Sequence, residues 1–191
     1  DLLRGGAEIP ADIQAEVLGD IDAEISELSD LVAELVDLAA DVRTDEELSL
    51  VTLAELAEPV IKRARRRTSR DITLTVTTTT ALEARPDALS RAIRNLIDNA
   101  DKFSPEGSAI DVVIDGGSFT VNDAGPGISS DERVLVWERF HRAESTRTLP
   151  GSGLGLAIVR QVIDAHAGEV AIADSPTGGA SVGFSVPTID D

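Results

Sequence analysis

The N-terminal forty residues carry apolar side chains at alternating steps of three and four positions. The repeat comprises Leu18, Ile21, Ile25, Leu28, Val32, Leu35 and Ala39. This heptad seam predicts one long helix from about Ala11 to Val42, with Pro10 in its first turn. Because a lone helix cannot bury its own apolar stripe, the seam indicates a helical bundle completed by another segment or by a second copy of the chain.

Beyond this helix the pattern shortens into alternating helices and strands. Thr52 is expected to cap a helix that continues to about Arg66, and alternating Ile72, Leu74 and Val76 predict a strand over Ile72–Thr78. The further expected elements are helices at Pro86–Phe103, Asp131–Phe140 and Leu154–Ala167 and strands at Ala109–Ile114, Ser118–Val121, Glu169–Ala173 and Ala180–Val186. Together they predict an α+β fold: a two-layer sandwich of a mixed, mostly antiparallel sheet covered by helices and preceded by the bundle helix.

The distribution of charge also separates the N-terminal helical part from the rest of the chain. Of the net charge of −18, −13 lies in residues 1–50, which contain fifteen acidic side chains against Arg4 and Arg43. The expected segments are therefore a helical part at 1–44, a linker at 45–51 and a sheet-containing domain at 52–188. Acidic charge of this size disfavours a nucleic-acid partner, because phosphate backbones repel it.

Several classes of protein are disfavoured by what the sequence lacks. It contains no cysteine, so disulfides and thiolate metal sites are excluded. No apolar run approaches the roughly 20 residues that span a bilayer, and the first residues do not read as a secretory leader. The piece is expected to be soluble as it stands.

The first candidate motif lies on the predicted helix Pro86–Phe103. Steps of four and three place Asn95, Asn99 and Lys102 on one face, opposite the apolar positions. Amide oxygens suit magnesium and an ammonium group pairs with phosphate, so this stripe fits a metal-bound phosphate chain. Taken alone, it fits an exposed polar helix face equally well.

Two glycine-containing motifs follow. A predicted strand runs into Asp123, Gly125 and Gly127, where a carboxylate can accept a hydrogen bond from an amine and glycines allow close approach of a flat ring. By itself this segment is also an ordinary surface turn. Further on, the Gly151–Gly155 segment leads directly into a helix whose first N–H groups can bind an anion. It is neither a Walker loop nor a dinucleotide-binding fingerprint.

The order and spacing of these motifs resemble those of the GHKL ATP-binding superfamily. The segment Val136–Arg142 resembles the F box of sensor histidine kinases, and the N-terminal helix resembles the second helix of their dimerisation and phosphoacceptor domain. The likeness extends from about residue 50 to the end of the chain. It implies the catalytic ATP-binding domain of a bacterial two-component sensor histidine kinase.

The resemblance also implies a role for each motif residue. Asn99 would coordinate Mg²⁺, with Asn95 and Lys102 on the phosphate side, while Phe103 would pack beside the adenine. Asp123 would bind the adenine amino group. Gly125 and Gly127, with Ile128, would shape the wall around Asp123. Phe140 would anchor the start of a lid over roughly Arg142–Gly153, and Arg139 or Arg142 could reach the phosphates. The phosphate-contacting end of this lid would be formed by Gly151, Gly153, Leu154, Gly155 and Leu156.

The resemblance leaves the phosphoacceptor unassigned. The family phosphorylates a histidine in a motif that surrounds neither His141 nor His166, and His166 is expected to be a cationic cap at a helix end. The chain is therefore expected to be a fragment that binds ATP or ADP without autophosphorylation. The intact protein would be a homodimer whose cytoplasmic portion is attached to an inner-membrane sensor and acts on a response regulator.

Two alternatives remain at this level. Hydrolytic members of the superfamily carry a water-activating glutamate where this chain has Asn95, so a motor or chaperone is disfavoured. The other alternative is a non-catalytic ATP-binding regulatory module of the anti-sigma-factor type.

Overall fold

A computed structural model describes residues 46–144 and 151–189, together with Ile13, Val17, Leu18 and Ile21. These four N-terminal residues are helical and exposed, which agrees with the expected helix at the positions described. The remainder of the heptad seam and residues 145–150 of the expected lid lie outside the described residues.

The described part forms one helix-covered sheet and one small ribbon. Its helices are α1 (Leu53–Thr68), α2 (Pro86–Phe103) and α3 (Gly155–Ala165), and its strands are β1 (Ser49–Thr52), β2 (Ile72–Thr78), β3 (Ala81–Ala84), β4 (Ile110–Asp115), β5 (Ser118–Asn122), β6 (Glu169–Asp174) and β7 (Ala180–Ser185). The main sheet has the order β2-β4-β5-β7-β6, while β1 and β3 pair separately. Only β2 and β4 are parallel within the main sheet, which confirms the predicted mixed, mostly antiparallel α+β fold.

Local signals define the first helix. The Thr52 hydroxyl accepts a hydrogen bond from the Glu55 N–H at 3.3 Å, and the Glu55 carboxylate accepts one from the Thr52 N–H at 2.9 Å. This reciprocal capping box begins α1 at the expected residue. The helix ends at Ser69, whose φ of 52° is left-handed.

The core lies between the helices and one face of the sheet. Alternate residues of β4, namely Ile110, Val112 and Ile114, are buried, and the Phe119 and Phe184 rings of β5 and β7 stack at 5.4 Å between centroids. Helix α2 buries its apolar face here, with Ala88, Leu89, Ala92, Ile93, Leu96, Ile97 and Ala100 inside. That burial orients the opposite, polar face of α2 towards the candidate site.

The structure differs from the expected elements in two places. The helix expected over Asp131–Phe140 is a series of turns with a short 3₁₀ segment at Leu135–Trp137, because only Val136 and Trp137 reach the core while their neighbours are exposed. Strand β1 starts inside the expected linker at 45–51 and pairs with β3, which the pattern did not predict. Four-residue strands have too few alternating positions to give a periodic signal.

Among the described residues, no helix combines the length and apolarity needed to cross a membrane.

Candidate functional site

The polar face of α2 meets the start of α3 through Asn95. The Asn95 amide oxygen lies 3.6 Å from the position that a Cβ atom on Gly155 would occupy. The amide nitrogen of Asn95 is buried and has no hydrogen-bond partner among the described residues. A buried donor without an acceptor is uncommon in a folded protein, and here it lies beside the first residue of a helix.

Lys102, at the end of α2, meets the first glycine of the loop before α3. The lysine Nζ lies 5.5 Å from the centroid of the Phe103 ring. A Cβ atom on Gly151 would be 1.9 Å from the same Nζ, so the ammonium group lies directly against this glycine. Gly151 has a φ of 140°, a backbone conformation that favours glycine. The fold thus brings the α2 stripe and the glycine loop together.

Asp123 follows β5 and is buried, with 4% of its surface exposed. Its Oδ1 atom accepts hydrogen bonds from the Gly125 N–H at 2.7 Å and from the Ala180 N–H at 3.0 Å. Its Oδ2 atom has no hydrogen bond to any described residue. A carboxylate held through one oxygen can offer the other to an amine.

The turn after Asp123 lies against the end of α2. A Cβ atom on Gly125 would come within 2.8 Å of the Phe103 carbonyl oxygen, so the glycine allows close contact between the two elements. Gly127 has a left-handed φ of 75°, and the side chain of Ile128 packs on the core. The two motifs that are separate in sequence therefore form one continuous wall.

The two ends of the expected lid are bonded to each other. The Phe140 N–H donates to the Gly153 carbonyl at 3.1 Å, and a Cβ atom on Gly153 would lie 2.6 Å from the His141 carbonyl oxygen. Leu154 is buried and Leu156 is partly buried, so they fix the start of α3 to the core. Residues 145–150, between these ends, lie outside the described residues.

Phe140 holds the base of the lid differently from the expectation. The residue is 67% exposed, and its φ is 63°. The backbone of Phe140, and not its ring, makes the contact, while Val136 and Trp137 provide the buried anchor of this segment. A left-handed conformation at a bulky residue is uncommon and reflects the tight turn into the lid.

The two arginines proposed for the phosphate side take different positions. Arg139 donates from Nη2 to the Gln161 side-chain oxygen at 2.8 Å, part-way along α3. The Cγ atom of Arg142 lies 3.2 Å from the position of a Cβ on Gly153, beside the glycine loop. The structure therefore favours Arg142 over Arg139 as the arginine next to this loop.

Glu132 connects the lid to the turn that follows the aspartate motif. Its carboxylate accepts hydrogen bonds from the Glu144 N–H and the Ser129 hydroxyl, both at 2.7 Å. The bond from the Glu144 backbone, followed by the bond from Ser129, lowers the pKa of Glu132 below its usual value. The first residues of the lid are thus attached through an ionised carboxylate.

His166 is not a cationic cap. Its Nε2 atom accepts a hydrogen bond from the Arg85 N–H at 3.0 Å, and its Nδ1 atom lies 2.7 Å from the Val162 carbonyl oxygen. Because the acceptor nitrogen carries no proton and the other donates, this network requires a neutral imidazole. The side chain joins the end of α3 to the start of α2, so the expectation of an imidazolium was wrong.

The sequence pattern predicted strands β6 and β7 but did not indicate that the turn between them contacts Asp123. Thr177 donates from its hydroxyl to the Asp123 carbonyl at 2.6 Å, and Gly179 lies against the Asp123 carboxylate. The consecutive glycines at 178 and 179 were the available signal. Their position opposite Asp123 depends on the pairing of β5 with β7.

Comparison with known proteins agrees with this geometry. Residues 84–190 match the family described as "Histidine kinase-, DNA gyrase B-, and HSP90-like ATPase". The signal transduction histidine-protein kinase/phosphatase MprB of Mycolicibacterium vanbaalenii is 41% identical over 192 residues, which cover 97% of this chain and 39% of that protein. The chain thus spans well under half the length of this curated relative.

Two solved structures have the same fold. Mycobacterial sensor histidine kinase MprB matches with a TM-score of 0.67 at 37% identity, covering 73% of this chain and 98% of that one. Full-length ShkA in complex with AMPPNP matches with a TM-score of 0.69 at 27% identity, covering 92% of this chain and 39% of that one. From its motifs, its fold and these relatives, the chain belongs to the histidine kinase-, DNA gyrase B- and HSP90-like ATPase family, as the catalytic ATP-binding domain of a sensor histidine kinase.

Proposed function

We propose that this chain binds Mg-ATP between α2, the Asp123 turn and the Gly151–Gly155 loop, and that it presents the γ-phosphoryl group to a histidine. One observation carries the proposal: Lys102, Gly151 and the Asp123 turn, which lie far apart in sequence, converge at the end of α2. An amine acceptor at one end and cationic and N–H donors at the other suit an adenine nucleotide.

At the adenine end, Asp123 supplies specificity. Its Oδ2 atom would accept a hydrogen bond from the exocyclic amino group, while Phe103, Gly125, Gly127 and Ile128 provide the surrounding surface. Guanine carries a carbonyl oxygen at the corresponding ring position, which would repel the carboxylate. The site should therefore prefer adenine to guanine nucleotides.

At the phosphate end, the donors come from α2 and from the start of α3. Lys102 and Arg142 would pair with phosphate oxygens, and backbone N–H groups of the Gly151, Gly153 and Gly155 loop would add neutral donors. The buried amide nitrogen of Asn95 is a donor that a bound phosphate oxygen would satisfy. These side chains are compatible with a metal-bound phosphate chain.

Asn99 is the residue that would hold Mg²⁺, since an amide oxygen is a hard ligand and Asn99 lies on the same helix face as Asn95. When bound, the ion would neutralise charge on the phosphates. Among the described residues, no cluster of three histidine, aspartate or glutamate side chains forms an alternative metal site.

The chemistry proposed is transfer and not hydrolysis. A nitrogen of the acceptor histidine would attack the γ-phosphorus, a P–N bond would form, and the P–O bond to the departing ADP would break. Asn95 cannot take a proton from water, so it does not provide the base that hydrolysis uses. The family's phosphoacceptor motif surrounds neither His141 nor His166, and both nitrogens of His166 are already engaged, which supports an acceptor outside the described residues.

The acceptor, the dimer and the downstream partner are assigned to the larger protein. The segment 1–44 would be part of a dimerisation bundle, residues from about 52 to 188 the catalytic domain, and a response regulator the final phosphoryl acceptor. The domain would be the cytoplasmic portion of an inner-membrane sensor. These assignments rest on the heptad seam and on the relatives' names.

Nucleotide binding is tested by titration calorimetry with ATP and GTP in the presence of Mg²⁺. Wild-type chain should bind ATP more tightly than GTP, and Asp123→Asn should weaken ATP binding about tenfold or more, because one good hydrogen bond to a charged group is lost. Equal affinity for ATP in both proteins would refute the adenine assignment.

Transfer is tested in a longer protein that joins this chain to its phosphoacceptor segment. Radioactive phosphate from γ-labelled ATP should appear on histidine as an acid-labile label, and Asn99→Ala should remove it. Binding of ATP without any label would instead support the non-catalytic regulatory module, which requires only the pocket.

A further inference from the structure

We propose that the β6–β7 hairpin, through Thr177 and Gly179, sets the orientation of the Asp123 carboxylate and thereby the recognition of adenine. Both are positioning residues, because they act on the nucleotide only through Asp123. The inference rests on the proposed function and extends it to a hairpin that none of the sequence motifs includes.

Strand pairing places the hairpin opposite Asp123. In the antiparallel register of β5 and β7, Asn122 faces Ser181, so the next residue along β5 faces Ala180. The Asp123 N–H donates to the Ala180 carbonyl at 2.9 Å, and the Ala180 N–H donates to Asp123 Oδ1 at 3.0 Å. The backbone of Asp123 and one of its carboxylate oxygens are thus held by the same residue.

Thr177 binds the backbone carbonyl of Asp123. Its hydroxyl donates to the Asp123 carbonyl at 2.6 Å. The Thr177 Oγ1 atom also lies 2.6 Å from the hydroxyl oxygen of Ser175, which is buried. The Ser175 N–H in turn donates to the Gly179 carbonyl at 2.9 Å. These bonds join Ser175, Thr177 and Gly179 to one another and to Asp123, which makes the hairpin a rigid support for the aspartate.

Gly179 provides the space in which the carboxylate lies. A Cβ atom there would be 2.3 Å from Asp123 Oδ1, 2.5 Å from the Asp123 carbonyl oxygen and 2.5 Å from the Gly125 nitrogen. Such contacts are far inside the van der Waals separation, so any side chain would displace the carboxylate or the turn that follows it. Glycine is required here by space and not by backbone conformation, since its φ is not positive.

At the preceding Gly178, glycine is favoured by backbone conformation and not by lack of space, so this residue gives a matched control. Gly178 has a φ of 96°, but a Cβ atom on it would meet nothing within 4 Å. Gly178→Ala strains the same turn without touching Asp123. Gly179→Ala and Gly178→Ala thus separate displacement of the carboxylate from general damage to the hairpin.

The two carboxylate oxygens of Asp123 have different roles, and this difference bears on the recognition of adenine. With Oδ1 occupied by the Gly125 and Ala180 N–H groups, rotation of the carboxylate is blocked and Oδ2 faces a single direction. Displacing Oδ1 would misalign Oδ2 relative to an adenine amino group while leaving the phosphate side at α2 and α3 unchanged. The hairpin is therefore a determinant of base selectivity.

The experiment measures ATP and GTP affinity by calorimetry, and Tm, for wild type and four variants. Gly179→Ala should weaken ATP binding about tenfold or more and reduce the preference for ATP over GTP, whereas Gly178→Ala should lower Tm and leave ATP affinity within about threefold. Thr177→Val should weaken ATP binding several-fold, and Thr177→Ser, which keeps the hydroxyl, should restore it.

A second measurement needs no nucleotide. The amide signals of Gly125 and Ala180 in a ¹H–¹⁵N spectrum should shift in Gly179→Ala and stay in place in Gly178→Ala, because both N–H groups donate to Asp123 Oδ1. The inference is overturned if these signals are unmoved, or if wild type prefers ATP and Gly179→Ala binds it equally well. If wild type itself does not bind ATP, the proposed function fails first and the inference with it.

Discussion

Glu46 should stabilise the helix that carries the candidate metal ligand. Helix α2 begins without a side-chain cap, because Arg85 occupies the capping position. The Glu46 carboxylate takes that role from forty-one residues away: it accepts hydrogen bonds from the Asp87 N–H at 2.6 Å and from the Ala88 N–H at 3.2 Å. Arg85 also donates from Nε to the Glu46 carbonyl at 3.2 Å.

The size of the effect follows from this geometry. Loss of a helix cap costs about 0.5–2 kcal/mol, and a negative charge at a helix N-terminus contributes about 0.3–1 kcal/mol in partly exposed positions. Glu46 is half-buried, and two N–H groups would lose their acceptor, so Glu46→Ala should cost roughly 1–2 kcal/mol in the free energy of unfolding. At about 2–4 °C per kcal/mol for a chain of this size, Tm should fall by roughly 2–8 °C.

The assay is thermal and urea unfolding followed by circular dichroism, with Glu47→Ala as the matched control. Glu47 has the same charge and is exposed, and no hydrogen bond joins it to the described residues. Its loss should change Tm by less than about 1 °C. Glu46→Gln should lie between wild type and Glu46→Ala, because the amide keeps one acceptor oxygen and loses the charge.

Equal Tm values for Glu46→Ala and Glu47→Ala would refute the reasoning. So would a loss in Glu46→Ala that appears as a change in the urea m-value at an unchanged midpoint, since that would indicate altered compactness and not a missing cap.

Three further predictions concern other parts of the domain. Arg70→Met should lower the free energy of urea unfolding by about 2–4 kcal/mol, because a largely buried guanidinium that bonds Asp101 and carbonyls at the end of α2 is lost. The control Arg67→Met removes an exposed ion pair and should cost under about 1 kcal/mol. Equal costs for the two variants would contradict this reasoning. Asn95→Glu should raise the slow background ATP hydrolysis measured by phosphate release, since a carboxylate can accept a proton from water; an unchanged rate would count against the amide argument. Glu132→Gln should lower Tm at pH 7, because the pKa of Glu132 is lowered in the folded state and its ionised form therefore stabilises that state. The difference in Tm should disappear as the pH falls through the lowered pKa. A difference that does not depend on pH would disprove the assignment.

Local sequence patterns were sufficient to predict the helices whose limits and faces depend on residues close together in the chain. The capping box of Thr52 and Glu55 involves residues three apart, and α1 begins where it predicts. Helix α2 begins at Pro86, and its apolar and polar faces separate as the helical period requires. Such features depend on neighbours in sequence, so a single sequence contains the information.

Other features depend on contacts between distant segments. Strands β1 and β3 are each four residues long and exist because they pair with each other. The bond between His166 and the Arg85 N–H decides the protonation of the imidazole, which its position at a helix end alone predicted incorrectly. Neither pairing leaves a periodic trace in the sequence, because each is made only when the chain has folded.

The candidate site shows the same division. Its motifs could be read from the sequence because Asn95, Asn99 and Lys102 lie on one helical face and the glycines adjoin Asp123 and α3 in the chain. The hairpin at Thr177 and Gly179 could not, because it reaches Asp123 only through the register of β5 against β7. The sequence by itself determined which groups are candidates to bind a nucleotide. Only the tertiary structure decided that Thr177 and Ala180 hold Asp123, since these contacts join residues more than fifty positions apart along the chain.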